Sequence, residues 1–442
     1  MIIVISIILV IGVILTICCP PIFVLYYGIL GSMYDARGIA GFFSNYLKSY
    51  APIMNGLLYV CMIISIVNIL KKKKNKLKLE ILISICFLIT IHLSVLLGDF
   101  ISIREGNILY HLIDASCLFG PAIFIIWYSY NSELKKYKKF FQWYVILQLI
   151  LSFLIIYGTS IHINSFSIFN SGYYDVEAAE YYLDSTKIAR LSNFYQIFLK
   201  KGYFLQAAQF HNSNPLGFYC GVGIIILISE FILKKRNFFL KIISLFFSGV
   251  LFLLWCNSGM RGVIYAIIMT LIMIFFFKKR YKIIKIVIVG LVIFLGIEIM
   301  NYNNIFSYFL GKGTSVSVQS RISGIEKGVE FGLNNFFIGN GGGVGELSEI
   351  GVDPHILPLK ILVLYGIFAA IFSFLLVFYV SYKKIKKAKI LNFYGVSLIM
   401  MAIFSALTNN YTSVVLFWLI LSEGWIELNS FYQREKLRYI RS

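Results

Sequence analysis

Apolar stretches of about 20 residues recur along this 442-residue chain, with polar breaks of unequal length between them. Each is long enough to cross ~30 Å of hydrocarbon as a helix. The runs are continuous rather than alternating, which argues against a β-barrel. With 59% hydrophobic and only 14% charged residues, the chain has too little polar surface to cover a soluble domain. The sequence predicts an all-α polytopic membrane protein with about 12 transmembrane helices. They fall near 3–28, 52–70, 79–97, 108–131, 140–158, 214–233, 237–256, 262–277, 283–300, 356–381, 390–408 and 412–428. Pro20-Pro21 should kink the overlong first span. With no internal repeat or low-complexity linker, the simplest organisation is a single membrane domain over 1–442.

Charge gives the topology. A net charge of +20 would point to nucleic acid in a soluble protein. Here 28 of the 40 basic residues bunch in six runs: Lys71 to Lys78, Lys135 to Lys139, Lys234 to Lys241, Lys278 to Lys285, Lys383 to Lys389 and Arg434 to Arg441. The runs follow every second apolar segment, as cytoplasmic loops do under the positive-inside rule. Nucleic acid is thus not an expected partner, and both termini are expected in the cytoplasm. The N-terminus is apolar from Ile2 with no basic region before it, so it reads as a membrane helix rather than a cleaved signal. All seven cysteines sit in or at the edge of apolar segments, so no disulfide framework is expected.

The outward loops are unequal. Two are large, at about 159–213 and 301–355, and carry aromatic and apolar residues of the kind that form short amphipathic helices on a membrane surface. Connections between helices need only a few residues. Two loops of this size on one face imply a site there, out of reach of cytoplasmic ATP and nucleotide sugars.

Several residues around these loops carry candidate chemistry. Arg261, in Asn257-Ser-Gly-Met-Arg-Gly262, is wedged between two apolar spans. It is either an anion clamp, since guanidinium grips phosphate oxygens at two points, or an arginine snorkelling to lipid headgroups. Arg321 is a second phosphate contact or an ordinary solvated loop residue. Gly339-Asn-Gly-Gly-Gly-Val-Gly345 lacks the GxGxxG register and the following Lys-Ser/Thr of a nucleotide loop. A turn needing positive φ, or a close backbone approach to a ligand, fits it better. His355 stands beside Asp353, with Lys360 just inside the next span, and is either a general base for a hydroxyl or a structural histidine. His111 and Asp114 repeat that idea more weakly. No cluster has metal-ligand spacing, and no Ser/His/Asp set is present.

Taken in order, these elements resemble the bacterial O-antigen and capsule repeat-unit polymerases (the Wzy family) and the related O-antigen ligases. Asn257-Ser-Gly-Met-Arg261-Gly resembles the family's Ser-x-Ser-Arg-Gly element, with Met260 in place of Ser. Arg321 followed by Gly339-Asn-Gly341 resembles its Arg … Gly-x-Gly loop, and Arg321 to Gly332 fits its Arg, ten residues, Gly spacing. His355, Leu359 and Leu364-Tyr-Gly366 resemble its His-Asn … Leu … Gly, with Ile356 in place of Asn. Phe210-His-Asn212-Ser-Asn214-Pro215-Leu-Gly217 resembles Phe … Asn-Pro-Asn … Gly. Arg190 to Gly202, in the first large loop, misses the Arg-x10-Gly spacing by one residue.

The resemblance implies a GT-C-like glycosyltransferase of the bacterial cytoplasmic membrane. It would transfer a growing undecaprenyl-diphosphate-linked glycan onto a new lipid-linked repeat unit at the outer face, without cofactor or metal. It also implies His355, Arg261 and Arg321 as catalytic residues. Arg261, Arg321, Arg190, Asn212, Asn214, Gly339 and Gly341 would bind substrate. The implied partners are undecaprenyl-diphosphate-linked oligosaccharide, membrane lipids, and flippase and chain-length regulator proteins. A ligase that moves finished glycan to another acceptor shares these motifs. A lipid-linked oligosaccharide flippase or other transporter is the rival from a different class, but porters usually carry their long connection in the cytoplasm, and no repeat-related pair of broken spans is visible.

Overall fold

A backbone amide in hydrocarbon must find its partner within its own segment, so long apolar runs fold as helices even when rich in β-branched Ile and Val. The computed structural model describes residues 2–31, 44–72, 78–100, 119–134, 137–158, 213–229, 238–258, 315–341, 354, 356–387, 392–408 and 414–441. Among the described residues the protein is all-helical, with no strand. The helices are α1 (Ile2–Cys18), α2 (Pro20–Tyr26), α3 (Ser44–Lys72), α4 (Leu79–Phe100), α5 (Gly120–Leu134), α6 (Lys138–Gly158), α7 (Ser213–Leu227), α8 (Phe238–Ser258), α9 (Ser315–Asn334), α10 (Leu357–Phe374), α11 (Val380–Lys387), α12 (Phe393–Thr408) and α13 (Val415–Arg441). Wider π turns at Tyr27–Gly31 and Leu375–Tyr379 extend α2 and join α10 to α11.

Among the described residues, three helical segments are long and apolar enough to cross a membrane: Ile53–Lys71, Leu79–Gly98 and Leu357–Lys386. Shorter apolar helices lie at Ile5–Cys18, Pro20–Leu30, Pro215–Leu227, Phe238–Leu251 and Phe393–Leu407. The expected break at the proline pair is present. Cys19 leaves helical geometry at φ −152° and ψ 71°, and the prolines take the first turn of α2, where a missing N–H costs nothing. The expected spans at 262–277 and 283–300 lie outside the described residues. Several boundaries differ from the sequence reading: α3 begins at Ser44, ahead of the expected 52, and α11 carries the helix to Lys387, past the expected 381. Helix α13 continues to Arg441, so the basic run from Arg434 to Arg441 is helix rather than loop. The second large loop contains a 20-residue helix, α9, longer than the short amphipathic pieces expected there.

Hydroxyls inside these apolar helices close onto the preceding turn. Thr16 Oγ1 donates to Gly12 O, Ser65 Oγ to Cys61 O and Ser84 Oγ to Glu80 O, at 2.7–2.8 Å. Large apolar side chains remain exposed along α1, α3, α4, α6 and α8; Phe238 is 78% and Phe239 70% exposed. Such faces need an apolar surrounding, which a bilayer supplies.

The chain divides into two compact units. The first comprises 1–57 and 137–260. In it the hydroxyls of Tyr144 and Tyr219 meet at 2.5 Å, joining α6 to α7, and Tyr27 donates to Asn55 Oδ1 at 2.7 Å. The second comprises 58–136 and 261–442 and holds the features described next. Its core is aromatic. Phe124 stacks on Tyr128 within α5, and both rings meet Trp425 of α13 edge-on.

Candidate active site

Helix α9 has three glycines at four-residue spacing, Gly324, Gly328 and Gly332, which fall on one stripe of the helix. The stripe packs against the first half of α10. A Cβ on Gly328 would lie 3.1–3.2 Å from ring carbons of Pro354, and one on Gly332 would lie 3.0 Å from Leu362 Cδ2. Glycine is a poor residue for a helix interior, about 1 kcal/mol worse than alanine, so this close approach explains its use here. Position 321 belongs to the same stripe, three, seven and eleven residues before the glycines. The Arg-x10-Gly spacing from Arg321 to Gly332 is thus three helical turns. The backbone of Arg321 is in α9; its side chain is outside the described residues.

Beyond α9 the chain turns through Asn335 to Gly341. Gly339 and Gly341 have φ of 69° and 63°, the left-handed region that glycine enters without strain. The turn docks on a break in α10. Gly366, at φ 79° and ψ −178°, interrupts that helix. A break leaves a carbonyl before it and an amide after it without their helical partners. The turn replaces them: Asn340 N–H donates to Val363 O, and Ile367 N–H donates to Phe336 O, both at 2.8 Å. On the other side Ser94 Oγ of α4 donates to Ile338 O at 2.5 Å.

The three glycines make this docking sterically possible. A Cβ on Gly366 would lie 2.0 Å from Phe337 O, one on Gly339 would lie 2.6 Å from Leu364 C, and one on Gly341 would lie 3.1 Å from Gly98 Cα. Both Gly339 and Gly341 are buried. The sequence left open whether this turn needs positive φ or approaches a ligand. The positive φ is present, and what the backbone approaches is the backbone of α4 and α10. Gly339 and Gly341 therefore serve the junction.

Of the other expected site residues, Arg190, Asn212, Arg261 and His355 lie outside the described residues, as do His111, Asp114 and Asp353. The neighbours of His355 are placed. Pro354 is buried against Gly328, and Leu357 and Pro358 open α10. Lys360 is in its first turn, as expected for a residue just inside the span. Asn214 lies in the first turn of α7 with Pro215 behind it, a placement that suits proline. The junction brings the helix of Arg321 alongside the helix that follows His355. Among the described residues, no group of three His, Cys, Asp or Glu is placed to hold a metal.

A second buried cluster, unmarked by any motif, lies in the same unit. Lys384, assigned to a cytoplasmic loop by its basic run, is only 9% exposed and lies within α11. Its Nζ pairs with Glu80 Oε1 of α4 at 2.6 Å and donates to Asn429 Oδ1 of α13 at 3.2 Å. The ammonium also lies 5.8 Å and 5.5 Å from the ring centroids of Tyr128 and Trp425. Two further buried carboxylates stand nearby along α13: Glu423 accepts from Trp127 Nε1 at 3.1 Å, and Glu427 from Asn392 Nδ2 at 3.2 Å. The available signal was the pair Glu423 and Glu427, one helical turn apart inside an expected span, where carboxylates are costly unless paired.

Long apolar helices, outward apolar faces and buried charges that pair with one another define the class: an all-helical membrane-associated protein. No protein-family model matches the chain, and comparison with curated protein sequences gives no significant match.

Proposed function

We propose that the chain is a polysaccharide polymerase. It transfers a growing glycan from undecaprenyl diphosphate to a lipid-linked repeat unit at the outer face of the cytoplasmic membrane, from a GT-C-like frame of about 12 spans with both termini inside. The observation that carries the reading is the packing of α9 along the start of α10, with Pro354 against Gly328. The polymerase-like order of Arg321, Gly339-Asn-Gly341, His355 and Gly366 thereby has a physical basis: the arginine's helix and the chain that follows the histidine belong to one packed assembly.

In this reading a hydroxyl of the incoming repeat unit loses its proton to His355 and attacks the anomeric carbon of the lipid-linked glycan. A new glycosidic C–O bond forms, the bond from sugar to phosphate breaks, and undecaprenyl diphosphate leaves. Arg261 and Arg321 hold the negative charge that builds on the departing phosphate; fixed cations at that position lower the barrier without a metal. Arg190 and Asn212 supply contacts from the first outward loop, and Asn214 from the start of α7. The partners are the lipid-linked oligosaccharide, the bilayer, and the flippase and chain-length regulator of the same route.

His355→Ala tests this in cells. Removing a positioned general base should slow chain growth by ~10²–10⁴-fold. Lipid-linked single repeat units should then accumulate on the outer face, accessible to an added lectin. Units trapped inside would mean a transporter. Normal long-chain polymer would remove His355 from the mechanism.

A further inference from the structure

We propose that Ser94 and Gly98 of α4 are positioning residues for the transfer reaction. They clamp the Asn335–Gly341 turn and so fix where the Arg321 helix lies along α10. The proposal rests on the polymerase reading for its chemistry and on the junction for its geometry.

Ser94 is unlike most hydroxyls of the apolar helices. Ser65 and Ser84 return their proton to a carbonyl of their own helix, four residues back. Ser94 instead donates across 244 residues of sequence to Ile338 O, in the middle of the turn. One helical turn further on, a Cβ on Gly98 would lie 2.8 Å from Gly341 Cα, so helix and turn meet backbone to backbone with no room for a side chain. Two residues on one face of α4 thus address the same turn, one by a hydrogen bond and one by leaving space.

The turn needs that support because of what it carries. Helix α9 has three interior glycines and intrinsically weak helix propensity. Its C-terminal end is anchored through the turn, by Val363 and Ile367 on one side and by Ser94 and Gly98 on the other. Position 321 lies on the stripe that from Gly328 onward packs on Pro354 and α10, so in the polymerase reading a sliding or rotating α9 would carry the arginine away from the donor phosphate. Such a misplacement weakens donor binding as well as turnover.

The test uses the full-length protein in liposomes, with lipid-linked repeat units extracted from the source cells as substrate. Ser94→Ala should raise KM for the lipid-linked donor about threefold to tenfold, the worth of one hydrogen bond, and Ser94→Thr should restore it. Gly98→Val should raise KM further. Adding Arg321→Lys to Gly98→Val should then cost much less than Arg321→Lys alone, because both changes disturb one contact. A simple loss of folded protein lowers the rate without moving KM. A second readout needs no activity: Asn340→Cys, at a position 7% exposed, should resist thiol reagents in the parent and label in the Gly98→Val background. A cysteine that stays protected there overturns the clamp. One that labels while KM stays unchanged overturns the positioning role. If the unsubstituted protein lengthens nothing, the polymerase reading falls and the positioning claim with it, while labelling still reports on the junction.

Discussion

The glycine junction at Gly366 and the ionic knot at Lys384 belong to the same compact unit and lie 18 residues apart along the segment from α10 to α11. They solve one problem in opposite ways. Each joins segments distant in sequence inside an apolar protein. At Gly366 the joining groups are backbone amides and carbonyls with the Ser94 hydroxyl beside them, and no side chain fits at the glycines. At Lys384 the joining groups are side chains: an ammonium, a carboxylate, an amide and two aromatic rings. Such a junction accepts only glycine where backbone meets backbone, at Gly98, Gly339, Gly341 and Gly366. A side-chain knot is exchangeable in principle, because another set of the same volume can fill the space. The two regions should therefore respond differently to substitution, and that difference is measurable.

The largest effect is expected at the knot. Lys384→Met leaves Glu80 and the Asn429 amide without their cation, and removal of one partner of a buried ion pair typically costs about 3 kcal/mol or more. Thermal unfolding of the purified protein should show a clear drop in Tm. Adding Glu80→Leu should recover most of it, since an apolar pair replaces an ion pair with little net loss. A double variant as unstable as the single would mean that the knot is not exchangeable, and the contrast would fail.

A smaller but uncompensated loss is expected at the junction. Gly366→Ala puts a methyl where Phe337 O lies 2.0 Å away, at a φ that alanine rarely adopts. The turn should undock, forfeiting its two hydrogen bonds to the broken helix at about 1 kcal/mol each. Hydrogen exchange should then speed up at the amides of Asn340 and Ile367, with most of the helical signal retained. Unchanged protection there would show that the glycine is not required and would erase the distinction between the two regions.

The sequence made one of these regions legible and hid the other. Gly339, Gly341 and Gly366 stand out because glycine marks a backbone that needs positive φ or close approach. The partner of that approach, the backbone of α4 and α10, is a long-range contact that no local pattern encodes. Likewise the helix starts near 79, 140, 214, 237 and 356 follow from apolar run length, and the break at Pro20 from proline's missing N–H. The continuation of α13 to Arg441 escaped notice because Arg, Lys and Glu are good helix formers that hydropathy alone reads as loop. Helix α9 was hidden by its glycines, which argue for a turn until the neighbouring helix that they pack against is known. Lys384 read as one of a run of solvated lysines. Its burial and its pairing with Glu80, 304 residues away, distinguish it from the exposed Lys383.

The central claim is that this chain lengthens lipid-linked glycan. Its most direct test is reconstitution of the purified full-length protein in liposomes with lipid-linked repeat units from the source cells, followed by separation of the glycans by size. The account predicts a ladder of multiples of the repeat unit from the unsubstituted protein, formed without added nucleotide sugar or divalent metal, and single units only from His355→Ala. Single units from the unsubstituted protein, moved across the bilayer but never joined, would contradict it.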